Sequence, residues 1–534
     1  MEAGLVVPHT RVALKWQPCS GSALPLAQCH AVTYSVPSAY SSPDIAITLY
    51  VEKFKTGSGK NNLHVIYLGG GPGSAANTNY SIVEKILGEL PPGTTLYLPD
   101  HRGLGKSTPL DRLNRSDWQG SMREIIAQAP FPLEHMTLTN SALDVGVLAG
   151  LITNETKEAK VALLGVSYGA HLAYHSAALL PNIFESILLF GTPNVRKFAE
   201  AHTDAGLIQN CAADSHCSKM MDGRAESIRD DLQKILNPDL NECTKIFYKD
   251  WERPIKPEIA VYGVLLRLTD LLWGTSSIPE TNTLHSSQLA FAFIRVTAQC
   301  KSPETYQDKV LTPLSPYFQT FESAVLSEGG NTRHDFSRLV NSLILLDKMF
   351  DFKVGQPPAL PKTTTGLVPT SISVSHYWRD FDVLKDVIAK MEKSKSVLLK
   401  SNKTKVFMVH GEVDLNTIIG PAQKLYNETE SSKRFLRYRN RGHTGLSGPC
   451  RPHILREAFL NSDPALTDRC LADQNARPLD WTFSDTPFVE IWGVTSWTTF
   501  HASPTFMILV LTATVLFFAA LVALLRARKK IESA

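Results

Sequence analysis

Residues 160–180 read KVALLGVSYGAHLAYHSAALL. Lys160 to Gly165 is a short apolar run suited to a buried strand, whereas Ala170 to Leu180 carries the apolar spacing of a helix. Ser167 stands between the two, framed by Gly165 and Gly169. The pattern G-x-S-x-G arises by chance in long chains, so its weight comes from this context. A serine at a strand-to-helix junction sits on a sharp turn, and the flanking glycines relieve its crowding. If Ser167 is a nucleophile, the rest of the chain must supply a base, an acid and a site for an oxyanion.

Outward from this stretch, strand-like runs alternate with helical ones. YSSPDIAITLYVE (40–52), NLHVIYLGGGPGSA (62–75), GTTLYLPDHRGLGKS (93–107) and ESILLFGTPN (185–194) read as strands, three of them running into glycine-containing loops. NYSIVEKILGEL and TNSALDVGVLAGLI lie between them with helical periodicity. Such alternation predicts an α/β fold with a mostly parallel sheet covered by helices on both faces. From 196 to 395 the alternation stops and most segments look helical, which predicts a cap inserted into the sheet domain. Strand-like runs return with TKVFMVHGEVD and SKRFLRYRNRGHTG. The expected organisation is core 1–195, helical cap 196–395, core resumed 396–475, juxtamembrane stalk 476–503, transmembrane helix 504–525 and basic tail 526–534.

The bulk numbers are those of a globular protein: 534 residues, 43% hydrophobic and 20% charged, with a net charge of +3. That charge is too small to argue for a nucleic-acid partner, and the body holds no long basic stripe. TFMILVLTATVLFFAALVALL (505–525) has no charge and is long enough to cross a bilayer; RARKK follows at once. The lipid bilayer is therefore an expected partner, with the basic tail cytosolic and the body lumenal or extracellular. Eight cysteines all precede this span. Three close pairs, Cys19 with Cys29, Cys211 with Cys217 and Cys450 with Cys470, favour disulfides, although connectivity stays open. No C-x-x-C pair or H-x-x-x-H cluster points to a metal, and no cofactor is expected. Five N-x-S/T sequons, at Asn79, Asn114, Asn154, Asn402 and Asn427, agree with a lumenal body. MEAGLVVPHTRVALKW has no apolar leader core, so the secretory topology implies a signal outside this chain.

A serine hydroxyl needs a histidine to take its proton and a carboxylate to hold that histidine in the useful tautomer. After Ser167, the resumed strand leads into EVDLNT, where Asp414 heads a loop, and the next strand leads into NRGHTGL, where His443 stands between small residues. Ser167, Asp414 and His443 follow the chain order serine, acid, histidine. Glu412 is the rival acid, and His410 and His171 are weaker rival bases; a solvated loop acid or an Asx turn is the alternative for Asp414. Oxyanion donors are expected from the backbone of Tyr168 and from Gly70 or Gly71 in GGGPG (69–73). As a phosphate loop that run would need a Lys-Ser/Thr pair, and SAANT offers none. These features together point to a serine hydrolase.

GGGPG, DHRGLGKS (100–107), GVSYGA, GEVDLNT and RGHTG resemble the proline iminopeptidase and tripeptidyl aminopeptidase branch of the α/β-hydrolases, over about residues 16–475. WQPC and CHAVTYSVP near the start, and the Cys450 to Cys470 region, resemble the tripeptidyl type. The resemblance implies an α/β-hydrolase fold and an aminopeptidase acting on peptides with a free N-terminus. It assigns Ser167, Asp414 and His443 as the triad and gives Asp100, Arg102 and Gly103 a structural role beneath the site. Gly69 replaces the histidine usual in H-G-G-P-G, and the membrane tail is not a general feature of the family. Acidic cap residues often hold the substrate amine in this branch; Asp250, Glu252, Glu258 and Asp270 are available, but none falls in a matching motif. An esterase or lipase with the same triad, and a non-catalytic binding module of hydrolase type, are the competing readings. An epoxide hydrolase is disfavoured, because a serine stands at the elbow where that chemistry wants a carboxylate.

Overall fold

The structure is a computed structural model. It describes residues 14–19, 28–55, 57, 59, 61–76, 80–110, 118–192, 208, 211–213, 215–249, 257, 260–261, 286–312, 386–392, 397–412, 414, 417, 419–438, 446 and 448–476. The expected transmembrane helix and tail, the expected stalk apart from Ala476, and all of 313–385 lie outside them. Among the described residues no helix is long and apolar enough to cross a membrane.

Among the described residues nine strands form one sheet: β1 (Gln17–Pro18), β2 (Gln28–Pro37), β3 (Ala46–Lys55), β4 (Leu63–Leu68), β5 (Thr95–Pro99), β6 (Lys160–Val166), β7 (Ser186–Phe190), β8 (Lys405–Gly411) and β9 (Lys433–Tyr438). Their order is β1-β2-β3-β5-β4-β6-β7-β8-β9. β2 and β3 make a ten-residue antiparallel hairpin, and β3 runs antiparallel to β5. From β5 across to β9 every neighbouring pair is parallel. The seven expected strands are all present and mostly parallel. The expected strand at 40–52 lies further along, at 46–55, because 40–45 form the bend joining it to β2. β7 pairs directly with β8 in parallel register, Ile187 opposite Val406. The sheet thus resumes in its next position after the long intervening segment.

Both faces of the sheet are covered, which is why the central strands are continuous apolar runs rather than alternating ones. Val161, Leu163, Ile187, Leu189, Val406 and Met408 enter one core with α3 (Leu138–Glu155) and α4 (Tyr168–Leu179). The residues between them, Ala162, Leu164, Leu188, Phe190, Phe407 and Val409, enter a second core on the other face. That face is covered by α1 (Tyr80–Glu89) and α9 (Arg451–Leu460), while α2 (Trp118–Gln128) adds Ile125 to the first core. Period-two side-chain alternation divides each strand between the two layers. α8 (Ile419–Glu428) connects β8 to β9, and α10 (Pro464–Ala476) ends the described chain.

In the described part of 196–395, α5 (Ser227–Ile235), α6 (Glu242–Lys249) and α7 (Ser286–Gln299) are helical, as expected. Phe247 packs edge-on against Phe293, and Arg295 bonds Asp231 at 2.5 Å and also pairs with Asp222. A disulfide joins Cys243 to Cys300 across 57 residues. Cys19 bonds Cys29, and Cys450 bonds Cys470, as their spacing suggested. Cys211 is disulfide-bonded as well.

Candidate active site

β6 ends at Val166, and Ser167 turns the chain into α4. The turn is strained: Ser167 has φ 56° and ψ −122°, a conformation that L-residues seldom adopt. Its N–H donates to Phe190 O at 2.8 Å, and its carbonyl accepts from Ala170 N at 2.9 Å. Both bonds hold the junction in place against its unfavourable dihedrals. The glycines on either side are required by close approach. A Cβ on Gly165 would lie 2.6 Å from Ala170 Cα, and one on Gly169 would run into the carbonyl oxygen of Leu68. α4 therefore leaves β6 almost in contact with the end of β4.

That proximity brings the glycine-rich loop to the serine. β4 lies between β5 and β6, so the chain leaves it toward opposite sides of the sheet, first to β5 and later to β6. A crevice opens at such a reversal, beyond the carboxyl ends of the strands. Gly69 to Gly73 emerge from β4 at this crevice, and Ser167 emerges from β6 beside them. A Cβ on Gly70 would sit 3.1 Å from both Ser167 Cβ and Val166 O. Gly70 is buried, whereas Gly71 is exposed with φ 111°. Tyr168 is the first residue of α4, so its backbone N–H sits at the positive end of the helix dipole. Ser167, Gly70 and Tyr168, expected from the sequence as nucleophile and oxyanion donors, thus share one corner of the sheet.

The residues beneath this corner form two braces. Asp100 follows β5; its carboxylate accepts Ala76 N at 2.6 Å with one oxygen and Lys106 N at 2.8 Å with the other. It thereby ties the end of the glycine-rich segment to the turn at 100–107. Burial is the largest influence on this carboxyl and raises its pKa. Ser107 Oγ closes the turn by donating to Asp100 O at 2.7 Å, and it accepts Tyr50 N. Tyr80 at the head of α1 donates to Glu52 at 2.6 Å. The second brace is Arg102, fully buried, whose guanidinium meets Asp144 of α3 bidentately at 2.8 and 2.7 Å. The same guanidinium donates to the carbonyls of Ser38 and His135, and Tyr40 adds a hydroxyl to Asp144. The 100–107 run thus has the bracing role expected of it, with Gly103 at φ 76° in its turn. Asp144 was not singled out in the sequence; an acid in an otherwise apolar helix is the signal that could have found it.

β8 leads to the expected acid. Asp414 lies three residues beyond its end and is fully buried. Thr417 donates to it twice, from N to Oδ1 at 2.7 Å and from Oγ1 to Oδ2 at 2.6 Å. This is the turn geometry that was the alternative reading for Asp414, and it also fixes the carboxylate plane. Thr417 escaped the sequence reading, although the Asp-x-x-Thr spacing carried the hint. Glu412, the rival, is partly exposed and faces Arg437 on the edge strand at 3.8 Å. His410 points within the sheet, accepting Thr192 N at 2.8 Å and stacking on Phe435. His171 lies on α4, stacked against His175. His101 is buried with its ring edge-on to Tyr168, and burial pushes its pKa down to about 4. His443 and the acids Asp250, Glu252, Glu258 and Asp270 fall outside the described residues.

No protein-family model and no curated protein matches the sequence. Several solved structures share a loose likeness. A proline iminopeptidase from Mycobacterium smegmatis is 15% identical at a TM-score of 0.34, covering 81% of this chain and 100% of its own. Acetyl xylan esterase 1 from Thermoanaerobacterium is 14% identical at 0.31, covering 84% and 87%. MGS-M2, an α/β-hydrolase enzyme from a deep-sea metagenome, is 10% identical at 0.31, covering 78% and 95%. At these scores no residue role is carried across, and the site stands on its own geometry.

Proposed function

We propose that this chain is a serine hydrolase of the α/β-hydrolase type, with Ser167 as nucleophile, His443 as base and Asp414 as the acid that orients it. The observation that carries the reading is the elbow itself: a serine at φ 56°, at a helix N-terminus, with Gly70 packed against its Cβ. A structural serine has no need of that strain, whereas a nucleophile gains exposure of its Oγ to the crevice. In this reading Ser167 Oγ attacks a carbonyl carbon as His443 takes its proton. The N–H groups of Tyr168 and of Gly70 or Gly71 meet the oxyanion. Collapse of the tetrahedral adduct releases the leaving group, and water cleaves the acyl-enzyme by the same route.

Aminopeptidase action is the substrate class we favour, and it rests on the motif resemblance over residues 16–475. The body would lie in the lumen or outside the cell, held at the bilayer by residues 504–525. Labelling the full chain with a fluorophosphonate, then assaying aminoacyl and tripeptidyl arylamides beside short acyl esters, tests both levels. Labelling that vanishes in Ser167→Ala supports the nucleophile, and amide turnover supports the peptidase. Ester turnover alone would make the chain an esterase, and failure to label Ser167 would leave a binding module.

A further inference from the structure

Three of the five sequons lie among the described residues, and all three asparagines are exposed: Asn154, Asn402 and Asn427. Their placement is one-sided. Asn154 is in the last turn of α3, six residues before β6 begins at Lys160. Asn402 lies three residues before β8 begins at Lys405, and Asn427, near the end of α8, six before β9 begins at Lys433. β6, β7, β8 and β9 are mutually parallel, so all three asparagines sit along the amino-terminal edge of the sheet. Ser167, Gly70 and Asp414 sit beyond its carboxyl-terminal edge. A seven-residue strand such as β6 separates the two edges by roughly 20 Å.

Asn402 and Asn427 are also brought near each other. Lys400 bridges Glu430 in parallel, with Ser401 N donating to Glu430 O at 2.9 Å and Glu430 N to Leu399 O at 3.0 Å. The segment that carries Asn402 and the residues just after Asn427 are thus joined by backbone hydrogen bonds. An independent observation agrees with an oxidising compartment, where such acceptors are used. The described cysteines are in disulfides, and one of these, Cys243–Cys300, joins residues far apart in sequence. Disulfides of this kind persist in oxidising compartments.

We infer that Asn154, Asn402 and Asn427 are N-glycosylation sites that cover the edge of the sheet opposite Ser167. The co-reactant is a lipid-diphosphate-linked oligosaccharide. The asparagine Nδ2 forms a bond to the sugar C1, the C1–O bond to the diphosphate breaks, Nδ2 loses a proton, and the lipid diphosphate leaves. Thr404 Oγ1 donates to Phe184 O at 2.8 Å, and Thr429 Oγ1 to Leu425 O at 2.8 Å, both in buried positions. Transfer therefore precedes folding, while the threonine hydroxyls are still accessible on the nascent chain. After folding, these three glycans project from the base, on the side opposite the carboxyl-terminal edge that carries Ser167. The one-sided cover does not depend on what Ser167 does.

The experiment is to produce the full chain behind a cleavable leader in a eukaryotic secretory pathway and treat it with peptide-N-glycosidase in heavy-oxygen water. Mass spectrometry then reads asparagine converted to labelled aspartate. Label at Asn154, Asn402 and Asn427 in protein with intact disulfides is the expected result, with one step of gel mobility lost in each of N154Q, N402Q and N427Q. Thr156→Ala, which removes one sequon without touching its asparagine, should abolish label at Asn154 alone. Unlabelled asparagines at all three positions in disulfide-paired protein would overturn the inference. Label at only one of them would overturn the shared cover. Fluorophosphonate labelling of the same sample reports on Ser167 separately, so the two readings fail independently.

Discussion

A Cβ placed on Gly70 would lie 3.1 Å from the Cβ of Ser167. The loop after β4 and the turn after β6 therefore meet at van der Waals distance, and the smallest residue is used where they meet. Gly70→Ala should press on the serine while disturbing little else, since the neighbour must give only a few tenths of an ångström. A small displacement of a reacting atom costs roughly a hundredfold in rate. We expect kcat/KM on the best substrate to fall by about that factor, with Tm nearly unchanged. Gly169→Ala should behave differently, because its Cβ would collide with the backbone of Leu68. That variant should lose more than about 4 kcal/mol or fail to fold. Thermal melts beside initial rates separate the two outcomes; equal loss of stability in both would undo the distinction.

Asp100 joins the glycine-rich segment to the 100–107 turn through Ala76 N and Lys106 N. Asp100→Asn keeps its size but replaces one acceptor oxygen with a donor that faces a backbone N–H. The expected outcome is a loop less well positioned beside Ser167: a fall in kcat larger than the change in KM, with modest destabilisation. A pure loss of stability with unchanged kcat in the folded fraction would limit Asp100 to holding the fold.

Arg102 and Asp144 form a buried bidentate pair. Removing the acid in Asp144→Ala leaves a guanidinium buried among carbonyls, which costs about 3–5 kcal/mol. Chemical denaturation of the disulfide-intact chain measures it. A loss under about 1 kcal/mol would mean that water reaches the site and screens the charge.

Two buried histidines set an acid limit. Burial, with Lys53 and Lys55 nearby, lowers the His64 pKa to about 4, and burial alone does the same for His101. Their unfolded value is 6.5. Between the two values the unfolded chain binds more protons than the folded one, so stability rises with pH. The contribution is complete above about 6.5 and is lost as pH falls toward about 4, at up to roughly 1.4 kcal/mol per pH unit for each histidine. His64→Gln and His101→Asn should each flatten Tm against pH in this window; a slope unchanged in both would remove them as the cause.

The Cys243–Cys300 disulfide closes a 57-residue loop that runs from α6 to the end of α7. Chain-entropy reasoning gives such a closure about 4 kcal/mol. A Cys243→Ala, Cys300→Ala double variant should lower the stability of this helical region first. Faster proteolysis between 243 and 300 than between 160 and 190 is the expected pattern, and uniform cleavage would contradict it.

Much of this was written locally. The apolar runs at 160–166, 186–190 and 405–411 announce buried parallel strands, because strands covered on both faces need no polar alternation. Gly165, Ser167 and Gly169 announce the elbow, because steric exclusion at a sharp turn acts between near neighbours. The hairpin partner β2 was not identified as a strand: its residues alternate between buried and exposed, and its pairing with β3, and with β1 at one end, is what stabilises them. Tertiary structure alone decided which distant groups meet. Arg102 finds Asp144, Cys243 finds Cys300, and β8 takes its place beside β7 after the long intervening segment. The approach of Gly70 to Ser167 belongs to the same class. Periodicity and turn chemistry report what a residue requires of its immediate neighbours. Contacts across a hundred residues are selected by the packing of the whole sheet, and no local pattern records them.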